Sequence, residues 1–266
     1  MPPAKQRTRS YDAVKTRTAV LAQAAALRSA VGTLTPEQLD GPTRLDGWRV
    51  RELVAHLSMV LGTLTHALTL PAPPKAGLTL LEWPARVRSV AGAIDDDVRA
   101  GAEAAGDGVA DAFGLAVDAI GPALADPFDG DRPVMTRLAP MRLTDVLVTR
   151  CLELIVHTDD LNDATGLDVP YDRQALATAV RLLADALAAD APGGAVEVRI
   201  PPFAVVQCVE GPRHTRGTPP NVVETDPLTW VRLATGRAGW AAELDAARIS
   251  ASGERADLSG LLPVLG

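Results

Sequence analysis

Apolar residues recur at helical spacing through most of the first 190 residues, and this pattern predicts an all-helical segment. Pro- and Gly-containing stretches divide it. Thr35-Pro36 predicts a short capped turn, and Thr165-Gly166 is expected to close the helix that precedes it. The predicted helices cover residues 11–32, 50–70, 80–105, 110–124, 143–164 and 172–189.

The pattern changes after residue 194, where apolar and polar residues alternate as they do in half-buried strands. Asp226-Pro227 suits the start of a helix that runs to Ala234, and Asp257 is expected to begin a terminal helix. The predicted strands are 196–200, 203–209, 221–225 and 248–252. The fold class is therefore α+β. The predicted organisation is a flexible tail (1–10), a helical domain (11–190) and a small α+β domain (191–266).

Composition and charge narrow the classes of function. Aromatic residues make up only 3% of the 266 residues, so a core of Ala, Leu and Val is expected. The net charge is −7, and acidic and basic residues are interspersed along the chain, which argues against nucleic-acid binding. The two cysteines, Cys151 and Cys208, do not suggest a disulfide framework, so a reduced chain is expected. Met1–Lys5 carries no apolar core of a secretion signal, so a cytoplasmic protein is predicted. No uninterrupted apolar run is long enough for a membrane span.

Three residues form the candidate chemistry: His56, Glu153 and His157. Four helical steps bring His157 back to within about 40° of Glu153, so the two share a helix face with Asp160. This pair and a His from a neighbouring helix would make a three-ligand metal site, as in catalytic zinc centres. The spacing alone is also typical of a surface pair, and His56 could be a core histidine bonded to a carbonyl. Apolar neighbours around each residue favour the metal hypothesis, because an unpartnered buried carboxylate is costly.

Two motifs carry a resemblance to a known family. Gly47–Leu57 resembles the "GW-x-VR-[DE]-LVAHL" motif of the mycothiol-dependent maleylpyruvate isomerase family, and Arg150–Leu161 resembles its "R-x2-E-x3-H-x2-DL" motif. Residues 225–253 resemble the sterol-carrier-protein-like domain that is often fused to it. The resemblance implies a DinB-like four-helix bundle that binds zinc through His56, Glu153 and His157. Relatives often have Trp where this chain has Asp159, so the local shape of the pocket is in question.

The resemblance also implies a mechanism. A divalent metal, with zinc as the expected ion, would hold mycothiol as a thiolate that attacks a small electrophilic substrate, giving isomerisation or thiol transfer. No protein cysteine is required. Arg237 is the predicted catalytic residue, binding carboxylates of substrate or thiol; alternatively it is favoured at a helix C-terminus by the dipole. Asp160 would orient a ligating histidine, or else pair at a solvated helix end. A monomer or a homodimer is expected.

Other residues are expected to have different roles. Glu52 could be an extra ligand, although pairing with a neighbouring arginine is the expected role. Trp48 is expected to pack at the helix start, His66 points about 80° away from His56, and His214 is expected to be solvated. Two alternative functions remain open. The C-terminal domain could bind a lipid or a small apolar ligand, or the chain could bind metal without catalysis.

Overall fold

The structure, a computed structural model, describes residues 9–212 and 219–265, and eight α-helices precede the four-stranded sheet. The eight helices are α1 (Ala13–Val31), α2 (Pro36–Leu39), α3 (Val50–Thr69), α4 (Trp83–Arg88), α5 (Ala91–Ala105), α6 (Val109–Ala123), α7 (Leu143–Thr165) and α8 (Arg173–Asp190). A short connection joins α4 to α5, and a 3-10 turn over Gly106–Gly108 leads into α6.

Side chains at the helix ends explain where several of these helices begin and end. Asp12 and Asp172 each accept a hydrogen bond from a backbone N–H in the first turn of α1 and α8. Thr35 forms a reciprocal capping box with the third residue of α2. Gly166 closes α7 in the left-handed conformation, with φ of +70°, which glycine adopts without strain.

Four helices form a bundle around a shared apolar core. These are α1, α3, α6 and α7: α3 packs against α6 and α7, and α1 also packs against α6 and α7. Outside the four, α8 packs against α1, and α5 covers another face of α3. Helix α7 is buried along most of its length, so it is the central element of the bundle. The buried core is mainly Ala, Leu and Val, as the low aromatic content predicts, and its aromatic members are Trp83, Phe113 and Trp230.

A small mixed sheet follows the bundle. Its strands are β3 (Val196–Ile200), β4 (Ala204–Cys208), β5 (Val222–Thr225) and β6 (Ile249–Ser252). They lie in the order β4-β3-β5-β6; β3 and β5 are parallel and the other pairs are antiparallel. Helix α8 contacts both α7 and strand β4, so it joins the bundle to the sheet. The remaining elements are β1 (Pro133–Val134), β2 (Met141–Arg142), α9 (Pro227–Ala234) and α10 (Trp240–Asp245).

Two predicted elements differ from the structure. The predicted helix over 80–105 is divided into α4 and α5: Val90 leaves the helical conformation, and the Ser89 hydroxyl bonds the Arg86 carbonyl at this break. The predicted terminal helix from Asp257 is only a 3-10 turn over Ser259–Leu261, since Pro263 follows and cannot continue a helix. The pattern also missed β1, β2 and α10. Residues 1–8 of the predicted tail lie outside the described residues. Within 9–212 and 219–265, none of the helices combines the length and apolar character needed to cross a membrane.

Leu57 gives a test of the bundle core. Its side chain is fully buried in α3, directly after His56. Leu57→Ala is expected to lower the free energy of unfolding by about 2–5 kcal/mol, because it leaves a cavity in packed surroundings. Urea denaturation measures the change. Leu115→Ala is the control, since Leu115 on α6 is 71% exposed. Equal effects of the two substitutions would contradict this packing.

Candidate metal centre

His56 projects from α3 into the bundle and is 7% exposed. Its Nε2 lies 3.2 Å from Glu153 Oε2. Its Nδ1 is buried and has no hydrogen-bond partner among the described residues. The ring packs at a tilt against Trp48, with 5.3 Å between centroids, and Trp48 Nε1 donates to Asp95 at 2.6 Å. Packing therefore fixes the His56 ring, and Trp48 does lie at the start of the helix that carries it.

Glu153 and His157 lie one turn apart on α7 and face His56. His157 Nε2 is 3.3 Å from the same oxygen, Glu153 Oε2, and the rings of His56 and His157 meet edge to face at 4.6 Å. One ligand atom from each of the three residues lies within 4.8 Å of the other two. Two distant segments of sequence thus bring the three predicted ligands together.

This donor set fits a divalent metal ion such as zinc. Two imidazoles and one carboxylate are a common ligand set of catalytic zinc. With ligand bonds of about 2.0–2.1 Å, tetrahedral geometry places neighbouring donor atoms roughly 3.3 Å apart. The separations of 3.2 and 3.3 Å between Glu153 Oε2 and the two histidine Nε2 atoms agree with that spacing. His56, Glu153 and His157 could therefore hold an ion without a large rearrangement.

The electrostatics of the cluster favour a cation. Burial alone would raise the pKa of Glu153, but its contacts with His157 and His56 outweigh burial and hold the pKa well below the usual value. Burial lowers the pKa of His56. For His157 burial acts in the same direction, but the bonds to Asp160 and Glu153 overcome it and raise the pKa. The carboxylate of Glu153 is consequently anionic, with a histidine ring on each side.

Asp160 lies behind His157. His157 Nδ1 is 2.8 Å from Asp160 Oδ2, which leaves Nε2 directed toward Glu153. Asp160 is fully buried, and its pKa is lowered because the bonds to His157 and Arg237 outweigh the effect of burial. Arg44 Nε also donates to it at 2.7 Å. A carboxylate in this position commonly orients a ligating histidine. Its effect on a bound ion stays a prediction.

Arg237 also contacts Asp160. Its Nη2 and Nε lie 3.1 and 3.3 Å from the carboxylate, and its Nη1 donates to the Thr235 carbonyl just past the end of α9. The guanidinium is thus engaged with Asp160 and with a helix terminus, and it is outside the cavity wall described below. The predicted binding of a substrate carboxylate by Arg237 stays a prediction.

Asp159 makes a neighbouring ionic cluster that shares Arg44 with Asp160. It is 2% exposed and accepts hydrogen bonds from Arg44, from Arg232 on α9 and from the Tyr171 hydroxyl. Asp159 therefore connects α7 to α9, and it is not part of the cavity wall. The departure from the family motif expected at Asp159 therefore lies at the contact between α7 and α9 and not in the cavity wall.

A cavity of about 370 Å³ adjoins the candidate centre. His56 and Glu153 both form part of its wall, whereas His157 does not. The rest of the wall is mostly aliphatic and comes from residues 59–150 of the bundle and its connections, with Trp83 as its aromatic member. A molecule in this cavity would contact two of the three possible ligands.

The remaining candidate residues lie outside the cluster of His56, Glu153 and His157, or outside the described residues. Glu52 accepts a hydrogen bond from the Arg49 N–H at the start of α3, so it caps the helix and is outside the cluster. His66 lines the cavity but is not in the cluster. Cys151 is buried, and burial raises the pKa of its thiol. Burial likewise raises the pKa of Cys208 to about 11. His214 lies outside the described residues.

Sequence reasoning missed one residue of the cavity, Arg150. It was noted only as part of a motif, yet it lies one helical turn before Glu153 and lines the same cavity. The signal was its spacing: three residues before Glu153 on a helix places the two side chains on neighbouring positions of the surface.

The fold and site define a class: a helical bundle with a His-Glu-His centre, followed by a small α+β segment. The family model "Mycothiol maleylpyruvate isomerase N-terminal domain" matches residues 20–162, which is more than half of the chain. The chain therefore belongs to the mycothiol maleylpyruvate isomerase N-terminal domain family. A second model, "Bacterial SCP ortholog", matches residues 172–264. Both matches confirm the resemblance found in the sequence.

Solved structures show the same fold. Two crystal structures of "the mycothiol-dependent maleylpyruvate isomerase", one of a histidine-to-alanine mutant, match with TM-scores of 0.60 and 0.59. Each is 16% identical and covers 91% of this chain and 93% of its own. No curated protein matches the chain by sequence. The predicted α+β class, a helical domain followed by a small sheet, is confirmed.

Proposed function

We propose that this protein is a metal-dependent enzyme that uses mycothiol to isomerise a small electrophilic substrate or to transfer the thiol to it. One observation carries the proposal: His56, Glu153 and His157 meet beside a cavity. All three belong to the segment that matches the isomerase family model. The similar solved proteins are named as isomerases, which agrees with the prediction of an enzyme.

The proposed ion is zinc, because the donor set is two imidazoles and a carboxylate. When bound, such an ion lowers the pKa of a coordinated thiol, so that the sulfur is a thiolate at neutral pH. Three protein ligands leave a coordination position open. His56 and Glu153 lie in the cavity wall, so a thiol held by such an ion would have access to a substrate in the cavity.

The protein's own residues have two tasks in this proposal. Asp160 holds the Nδ1 side of His157, which keeps Nε2 directed at the centre. The aliphatic wall excludes water from the electrophile. The thiolate sulfur would then bond to one carbon of a conjugated cis double bond, and the π electrons would move onto the conjugated carbonyl as an enolate. After rotation about the resulting single bond, the enolate collapses and expels the thiolate, which leaves the trans alkene. Nothing is oxidised or reduced.

The domain division 11–190 and 191–266 is part of the proposal. The bundle supplies the three proposed ligands, while α9 and the segment after it supply Arg232 and Arg237 to the ionic clusters behind His157. The cytoplasmic location and the monomeric or dimeric state stay predictions. Lipid binding by the C-terminal segment also stays a prediction; among the described residues, those that line the cavity beside the centre lie between 56 and 153.

A turnover screen tests the function. Zinc-loaded and zinc-stripped protein are assayed against a panel of cis-enones and other electrophiles, with and without mycothiol. We expect turnover only when both metal and mycothiol are present. A variant with both Cys151 and Cys208 replaced by alanine should retain that activity, because both thiols are buried and outside the cavity wall. Equal turnover after metal removal, or none across the panel, would refute the proposal.

A further inference from the structure

The cavity beside the candidate centre is mostly apolar, and one cation in its wall has no ionic partner among the residues that the structure describes. Its wall is formed largely by aliphatic and aromatic side chains, including those of Val60, Leu64, Trp83, Ile94, Met141 and Val146. Arg150 and Arg137 are the arginines in the wall. Arg137 pairs with Asp97 and is 42% exposed, so its charge is already balanced at the surface.

Arg150 differs from the other arginines near the centre. Its Nη1 donates to the Val60 carbonyl at 3.0 Å and its Nη2 donates to the Thr149 hydroxyl at 3.3 Å. Its Nε is buried and has no hydrogen-bond partner among the described residues. Within 9–212 and 219–265, no carboxylate lies at ion-pair distance from Arg150, whereas Arg44 and Arg237 are bound by aspartates.

The surroundings do not compensate this charge. Burial lowers the pKa of Arg150, and the charge of Glu153 offsets only part of that effect. Glu153 itself is shared between His56 and His157. A half-buried guanidinium that has a buried, unbonded Nε and no carboxylate partner is costly to the free protein, so an anion that enters the cavity gains by pairing with it. A guanidinium suits a carboxylate because its planar N–H groups match the two oxygens.

We propose that Arg150 binds a carboxylate of the electrophilic substrate, and that this substrate is a monoanion with an apolar body. The substrate class rests on the proposed function, since it assumes that the cavity is where the electrophile reacts. A single unpaired cation in the wall accommodates one carboxylate. A second carboxylate would be buried against aliphatic side chains, which is unfavourable. The volume of about 370 Å³ is within the range of small-molecule pockets.

Matched ligands test this assignment. cis-3-Benzoylacrylate has a reactive double bond, one carboxylate and an apolar ring, and its methyl ester replaces the anionic carboxylate with a neutral group that is one methyl larger. With mycothiol and zinc-loaded protein, we expect the acid to be turned over with a higher kcat/KM than the ester. Arg150→Gln should lower kcat/KM for the acid about 10- to 100-fold, as expected for the loss of a charged hydrogen bond, and leave the ester within about threefold. The kcat/KM of Arg150→Lys for the acid should lie between those of the unaltered protein and Arg150→Gln, since lysine keeps the charge but loses the planar guanidinium.

A binding measurement separates this inference from the proposed function. The saturated analogue 3-benzoylpropionate cannot react, so calorimetry with zinc-loaded protein reports binding alone. We expect Arg150→Gln to lower the affinity for 3-benzoylpropionate by about 10- to 100-fold as well. Thermal denaturation shows whether each variant is folded. If no electrophile is turned over but Arg150-dependent binding persists, the function is wrong and Arg150 is still the carboxylate site. If acid and ester are affected equally, or the wild-type protein does not prefer the acid, the assignment of Arg150 is wrong.

Discussion

His157→Ala is expected to reduce bound zinc to less than a tenth of an equivalent and to abolish thiol-dependent turnover. The substitution removes one of three ligands and also leaves the Asp160 carboxylate without its histidine partner. Substitutions behind a ligand cost roughly 10- to 100-fold in metal affinity, so loss of the ligand itself should cost more than about 100-fold. Metal analysis after dialysis, followed by competition with a chelator, measures the effect. His56→Ala should behave in the same way.

His66→Ala is the matched control for both variants. His66 lies on α3, as His56 does, and lines the same cavity, but it does not belong to the three-residue cluster. It should bind zinc with an affinity close to that of the unaltered protein. If His157→Ala retains a full equivalent of zinc, or if His66→Ala loses as much as His56→Ala, the assignment of the three ligands is wrong.

Asp160→Asn should weaken zinc binding about 10- to 100-fold without removing a ligand. Asparagine keeps the shape of the side chain but loses the charge that faces His157 Nδ1 and the two arginines, Arg44 and Arg237. The histidine ring is then less firmly oriented, and its Nε2 is a weaker donor. Chelator competition gives the affinity, and thermal denaturation gives the stability of the metal-free form.

Asp159→Asn separates the effect on the metal from the effect on stability. Asp159 is the adjacent residue, is buried and pairs with Arg44 and Arg232, but it does not touch a proposed ligand. Its substitution should lower stability, because it disrupts buried ion pairs, and leave zinc affinity nearly unchanged. If both substitutions weaken zinc binding equally, Asp160 acts through general stability and does not orient His157.

Local signals in the sequence were sufficient for most of the fold. Asp226-Pro227 predicted the start of α9, and Thr165-Gly166 predicted the end of α7, because capping and left-handed glycine are decided within a few residues. The broken helix between 80 and 105 was not foreseen. A serine that bonds a carbonyl three residues earlier is compatible with either a continuous helix or an end, and the outcome depends on packing.

The candidate site was predictable in its members but not in its surroundings. Spacing placed Glu153 and His157 on one face of a helix, and the family motif connected them to His56. The ionic clusters of Asp159 and Asp160 depend on arginines that are 73 to 116 residues away in sequence, so no local pattern could assign their partners. The cavity and the unpaired Arg150 likewise appear only when α3 and α7 are packed together.

Zinc X-ray absorption with and without mycothiol tests the central claim most directly. The account predicts two imidazole nitrogens and a carboxylate oxygen at about 2.0–2.2 Å, with no sulfur ligand in the protein alone. On addition of mycothiol one sulfur should appear at about 2.3 Å. A sulfur ligand in the absence of mycothiol, or a ligand shell that does not change when mycothiol is added, would contradict an open three-ligand centre that binds the thiol.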